Sequence, residues 1–252
     1  MAKQSSLIKF RGKIGDLSFT KHRTRGFEAR MKGGPDKERI MTDPNFQRTR
    51  ENMAEFGSAA QLAKLIRIQL NNLLKQFADK SFSNRLTSAV HRIQKADSES
   101  LRGERVFKPE NSGLLKGLEF NTNSSLSFMF GEDLGTVYDR VSGEVVLTIP
   151  EFDPQKSVTL LDGATHVQFV LAAVEQTLDK EDVPRPVVQR SAFVPLIGQH
   201  VSETIQVVLP AASDKVVYLM VGIETFQGVN GAFYPLMNNP YNVMTIVDVD
   251  IP

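Results

Sequence analysis

The chain has 252 residues, 41% hydrophobic and 23% charged, which is the balance of an ordinary globular protein with room for one large domain or two small ones. It contains no cysteine, which excludes disulfides, thiolate metal sites and cysteine nucleophiles and fits a reducing compartment. The net charge of +1 averages two opposite halves: residues 1–115 hold 23 Lys and Arg against 12 Asp and Glu, and residues 116–252 hold 7 against 17.

A basic half of this kind can meet nucleic acid, an anionic surface or the acidic half of another copy. The N-terminal "MAKQSSLIKFRGKIGDL" lacks the apolar core and cleavage site of a signal peptide. No stretch approaches the ~18 apolar residues of a membrane span. A cytoplasmic protein with no membrane span is therefore expected.

Residues 1–40 read as a basic strand arm, with short strands in "SSLIKF", "KIGDLSFTK" and "GFEARMK" and a turn at "HRTRG". Its apolar content, mainly Ile14, Phe19, Phe27 and Met31, is too small for a core, so these strands need another surface to pack on. The stretch "KGGPDKER", 32–39, reads as a polar connector.

Residues 41–112 read as a helical segment. Asp43 suits an N-cap and Pro44 a first helical position. The apolar positions 56, 60, 63, 66, 70, 73 and 77 predict a long helix over about 44–77. Leu62, Leu65 and Ile68 fall beside that stripe, so the helix should pack on more than one side. Arg48 and Glu51 are spaced for an ion pair within the helix. A second helix is expected over about 82–95, on Phe82, Leu86, Val90 and Ile93, and "KADSESLRGER" then reads as a linker.

From about residue 117 the apolar period becomes two. "GLEFN", "SLSFMF", "EVVLTIP", "THVQFVLAAV", "ETIQVVLP", "KVVYLMVGIETF" and "YNVMTIVDVDI" read as strands, "FVPLIG" as a further short one, and "VSGEV" as a hairpin turn. "VVYLMVGI" is apolar on both faces and should be central. The expected fold is α+β: an antiparallel β-sandwich of about seven or more strands over 113–252, preceded by a helical hairpin and the N-terminal basic strand arm.

Chemistry-bearing patterns are sparse. His22, His91, His166 and His200 form no zinc motif, and "MKGGPDKER" lacks the phosphate-loop pattern. Asp248 and Asp250 share a strand face but read as solvated acids, and 178–182 as a loop. With no Trp and four Tyr, a sugar-stacking platform is poorly supplied. No catalytic, metal-binding or cofactor-binding residue is assigned, no small-molecule substrate is evident, and a non-enzymatic protein is expected.

"GKIGDLSF", "ARMKGG", "TDPNFQRTRENMAEFG", "AKLIR", "LEFN" and "GATHVQFVLAAVE" together resemble a widespread family of uncharacterised bacterial proteins. Its members share basic N-terminal strands, a helix opened by T-D-P-x-F-x-R-T-R-E-N, and a β-rich C-terminal half. The resemblance implies an association with intracellular fibre- or sheath-like assemblies and carries over no catalytic residue.

The expected function is self-assembly into a filament, fibre or tube, head to tail, basic arm against acidic β domain. The interface residues assigned are Lys9, Arg11, Lys13, Phe19, Arg23, Arg25, Phe27, Arg30, Leu62, Leu65 and Ile68. The alternative is a nucleic-acid-binding protein that uses the basic arm.

Overall fold

A computed structural model describes residues 2–22, 25–31, 33–159, 161–179, 181, 183–236 and 241–252. The chain divides into two compact units, Met1–Arg50 and Glu51–Pro252.

In the first unit, β1 (Ala2–Lys3), β2 (Gly12–Ile14), β3 (Leu17–His22) and β4 (Gly26–Met31) form an antiparallel sheet in the order β1-β4-β3-β2. The strand expected at "SSLIKF" is absent. The Gln4 side chain explains why: its Oε1 accepts from the Phe10 N–H at 2.8 Å and its Nε2 donates to the Phe10 carbonyl at 3.2 Å. One amide thereby satisfies both backbone groups of Phe10, and the intervening residues loop out instead of pairing. Helix α1 (Lys37–Thr42) and a 3-10 turn at Pro44–Phe46 follow. Asp43 caps that turn, accepting from the Asn45 N–H at 2.9 Å.

The long helix expected over 44–77 is divided. After the 3-10 turn come α2 (Gln47–Gln69) and α3 (Asn71–Phe77), with a bend at Leu70, whose ψ opens to 8°. The i→i−4 bonds continue across it, Leu70 to Ile66 and Leu74 to Leu70 at 2.9 Å each. Leucine is a good helix former, so propensity gives no warning of this bend. Helix α4 (Phe82–Lys95) lies close to its expected span.

The second unit is β-rich beyond the helices. It contains β5 (Gly135–Asp139), β6 (Glu144–Ile149), β7 (His166–Glu175), β8 (Val187–Arg190), β9 (Val194–Pro195), β10 (Glu203–Val208), β11 (Val217–Val229), β12 (Ala232–Pro235) and β13 (Val243–Asp250). A three-stranded sheet runs β10-β6-β5, and a six-stranded one runs β12-β11-β7-β8 with β13 on β11 and β9 on β7. All pairings are antiparallel.

Two hydrophobic cores meet the larger sheet from opposite sides. On one face Phe169, Leu171, Leu219 and Val221 pack with Val145, Leu147 and Ile205 of the smaller sheet, a sandwich of two antiparallel sheets. Phe130, Phe152 and Phe169 cluster there edge to face, with ring centroids 4.9–6.0 Å apart. On the other face Val170, Ala172, Tyr218 and Met220 pack with Ile66, Leu70, Phe77, Leu86 and Ile93 of the helices. The sandwich is thus the outer two-thirds of a three-layer unit: helices, large sheet, small sheet. This explains why β7 and β11 are apolar on both faces.

Two of the expected strands take other forms. "GLEFN" is no regular strand, yet it covers the free edge of β13 through Gly117 N–H to Ile246 O at 2.8 Å and Phe120 N–H to Met244 O at 2.8 Å. "SLSFMF" instead makes a helical turn at Leu126–Met129, because Ser125 Oγ accepts from the Phe128 N–H at 3.1 Å as an N-cap.

The expected linker over 95–105 is also fixed in place. Asp97 is almost wholly buried and accepts from the N–H groups of Glu99, Ser100 and Val106 at 3.0, 3.3 and 3.2 Å. Gly103 donates its N–H to the buried Glu55 carboxylate at 2.8 Å. Its φ is +93°, and a Cβ there would stand 2.9 Å from Glu51 Cγ. Gly103→Ala should therefore cost about 1–3 kcal/mol in thermal or denaturant unfolding. A change of less than about 0.5 kcal/mol, within the scatter of ordinary surface substitutions, would show that this loop is not held against α2.

Candidate assembly interface

The register of the four-stranded sheet sorts its side chains into two faces. Ile14, Leu17 and Met31 form one cross-strand row, and Gly12, Phe19 and Ala29 the next. Lys21 and Phe27 complete the same face, with the Lys21 ammonium 5.5 Å from the Phe27 ring centre. Phe10 lies against it, its ring 5.7 Å from that of Phe19. The opposite face carries the rows Lys13, Ser18, Arg30 and Lys3, Thr20, Glu28.

The apolar face is open. Ile14 is 59% exposed, Leu17 44% and Met31 73%. Among the described residues of the first unit only Glu28 is buried, and it is a carboxylate paired with Arg25 at 3.2 Å. A sheet with two distinct faces and no buried apolar side chain lacks the contacts that normally stabilise strands.

The assigned interface residues separate into two groups. Lys9, Arg11, Lys13, Arg25 and Arg30 are exposed, and Phe19 and Phe27 half-buried, all on or beside the four-stranded sheet. Arg23 lies outside the described residues. Leu62, Leu65 and Ile68 sit on α2 in the second unit and do not act together. Leu62 belongs to the helix–sheet core, and Leu65 is nearly as buried. Ile68 is half exposed and shares a shallow groove with Gln61, Lys64, Leu65 and Val183. Leu62 is thus used inside the fold and offers nothing to a partner, whereas Ile68 stands at the surface.

The T-D-P motif is likewise structural. Arg50 donates to the carbonyls of Ile40 and Asp43 at 2.7 and 2.9 Å, satisfying the C-terminal end of α1. Glu51 pairs with Arg102 at 3.6 Å rather than with the expected Arg48. Glu55 is 1% exposed and faces Arg105 at 4.0 Å and His91 at 3.9 Å. Burial first, and then Lys95, hold the His91 ring below the usual histidine pKa, against an opposing pull from Glu55.

The chain matches no protein-family model and no curated protein. The resemblance drawn from its motifs therefore assigns it to no family, and the geometry has to carry the functional reading.

Among the described residues, no group of three or more His, Cys, Asp or Glu side chains could hold a metal ion. The four histidines lie on separate elements: His22 on β3, His91 on α4, His166 at the start of β7 and His200 before β10. Burial lowers the pKa of His200, whose ring lies 4.8 Å from that of Phe152. Asp248 bonds Lys116 at 2.8 Å, and Asp250 pairs with Arg140, so this carboxylate pair is tied to cations of its own chain. Among the described residues no helix is long and apolar enough to cross a membrane.

The charge contrast expected between the two halves of the chain sharpens at the boundary between the units. Residues 1–50 hold 13 basic and 5 acidic side chains, net +8, and residues 51–252 hold 17 and 24, net −7. The sequence located the contrast but not the break between folding units at Arg50.

Proposed function

We propose that this is a non-enzymatic structural subunit that polymerises head to tail into a filament, fibre or tube. The observation that carries the reading is the coreless, two-faced sheet of the first unit, whose apolar side chains stand exposed. Such a sheet gains its missing packing when it meets a second surface. The opposite net charges of the two units favour a contact between unlike surfaces of successive copies. A contact between unlike surfaces repeats without limit unless the rotation closes a ring.

Sedimentation and electron microscopy across protein concentration and salt test this. Extended polymers are expected at high protein concentration and low salt. They should shorten towards ~1 M salt, where the Debye length falls to about 3 Å. A single monomeric species at every condition would end the reading.

Nucleic-acid binding has one supporting observation, the placement of Lys3, Lys13 and Arg30 on one sheet face. It predicts a mobility shift with duplex or single strands that weakens steeply as salt rises. No shift at low salt would remove it.

A further inference from the structure

Resting on the assembly reading, we infer that the surface receiving the four-stranded sheet is the outer face of the three-stranded β10-β6-β5 sheet of a second copy. The inward side chains of this small sheet, Val145, Leu147, Ile149, Ile205 and Val207, fill the sandwich core. Its outward side chains come from the alternate positions. The register aligns Val137 with Val146, and Asp139 with Glu144 and Val208.

This face is open, and Val137, Val146 and Val208 form its apolar part. Val137 is 65% exposed and Val208 59%, with Val146 half-buried beside Val137, and the exposed Thr148, Thr204 and Gln206 complete the face. Exposed valines on a sheet face are a liability unless something covers them. The larger sheet has no equivalent face, because helices and the small sheet already cover it on both sides.

Charge selects the occupant. Residues 131–153, which carry β5 and β6, hold six acidic side chains and one basic residue. That residue, Arg140, is turned away to the Asp250 carboxylate and the Ser213 carbonyl. The donor face carries Lys21, with exposed Lys9, Arg11 and Arg25 around it, in a unit of net +8. The strands match in length, since β3, β4, β6 and β10 each have six residues. Face-to-face packing of two such sheets buries both apolar faces and sets basic margins against Asp139 and Glu144. A second copy of this chain supplies both surfaces, which is why it is the partner assigned.

Two variants separate the surfaces. Leu17→Glu with Met31→Glu disables the donor face, and Val146→Lys with Val208→Lys disables the acceptor face. All four positions lie outside the two hydrophobic cores. Each variant alone should be monomeric by sedimentation with an unchanged circular dichroism spectrum. An equimolar mixture retains one working donor and one working acceptor, and should form a 1:1 dimer and nothing longer.

Polymerisation of the acceptor variant overturns the assignment of this face while leaving self-assembly intact. A mixture that stays monomeric overturns it as well. Monomeric wild type overturns the assembly reading itself. If the paired valine substitutions unfold the protein, Glu144→Lys with Thr148→Lys places two lysines on the same face and removes one of its carboxylates. Loss of polymer in that variant supports the acceptor face, and undiminished polymer rejects it.

Discussion

Deletion of residues 1–32 is expected to abolish assembly while leaving the second unit folded. Both hydrophobic cores begin after this segment, the earliest contributor being Ala59. No residue of the deleted strands belongs to either core. The truncated chain should unfold in one cooperative step, with its Tm within about 5 °C of the full chain, a shift equivalent to roughly 1–2 kcal/mol in a unit of this size. Circular dichroism measures the fold and sedimentation the assembly. Normal polymers from the truncated chain would refute the role of the strand sheet. Loss of cooperative unfolding would show that the first unit supports the second.

Asp79→Ala should cost about 2–4 kcal/mol of stability in thermal or denaturant unfolding. Asp79 lies in the turn between α3 and α4. Its carboxylate accepts from the Thr122 N–H and Oγ1 at 2.8 Å each and from the Ser81 N–H at 2.6 Å. It also pairs with Arg85 at 2.8 Å, and Arg85 donates onward to the carbonyls of Glu119 and Phe120 at 3.1 and 3.0 Å. The pair clamps the helical hairpin to the segment that covers the edge of β13. Without the carboxylate, these donors lose their common acceptor and Arg85 its counter-ion.

The same group predicts a pH response. Burial pushes the Asp79 carboxyl up, but the hydrogen bonds from Thr122 and Ser81 outweigh it and hold the group well below the usual carboxylate range. A folded pKa below the unfolded value of about 3.9 makes the carboxylate stabilising above that value. The contribution is lost as pH falls through the folded pKa. Asp97 behaves alike: hydrogen bonding from Ser100 leads, burial opposes, and the N–H groups of Glu99 and Val106 add to the depression. The Tm of the wild type should therefore fall from about pH 5 downward. That of Asp79→Asn should start lower and fall less over the same interval. Parallel Tm curves for the two proteins would show that Asp79 is not part of the acid response.

Much of the architecture was legible because it rests on periodicity. The alternation in 144–149, 203–208 and 243–250 identified strands, since residues two apart share a sheet face whatever lies beyond it. The central position of β11 followed from apolar residues at every step. Beyond the arm, three strands were missed: β5, β8 and β12 are four or five residues long, too short to show an alternation. The "SLSFMF" stretch was misread for the converse reason, because a capping serine outweighed a strand-like pattern. In the candidate interface, the basic strand residues were assigned from charge and position alone. Leu62 and Leu65 were included on apolar width, which cannot distinguish a surface awaiting a partner from one already filled.

The sequence by itself determined the charge contrast between the two parts, the α+β class, the strand-rich C-terminal half and the insufficiency of the first forty residues as a core. Each of these is a property of residue types and their local order. Only the tertiary structure decided that the large sheet is covered on both faces, that Glu55 and Asp97 hold down an apparent linker, and that Asp79 and Arg85 clamp the helices to the sheet edge. These depend on contacts between residues far apart in the chain, such as Asp79 with Thr122 and Glu55 with Gly103. A local pattern records that a side chain is apolar or charged, whereas packing decides which surface it is used against.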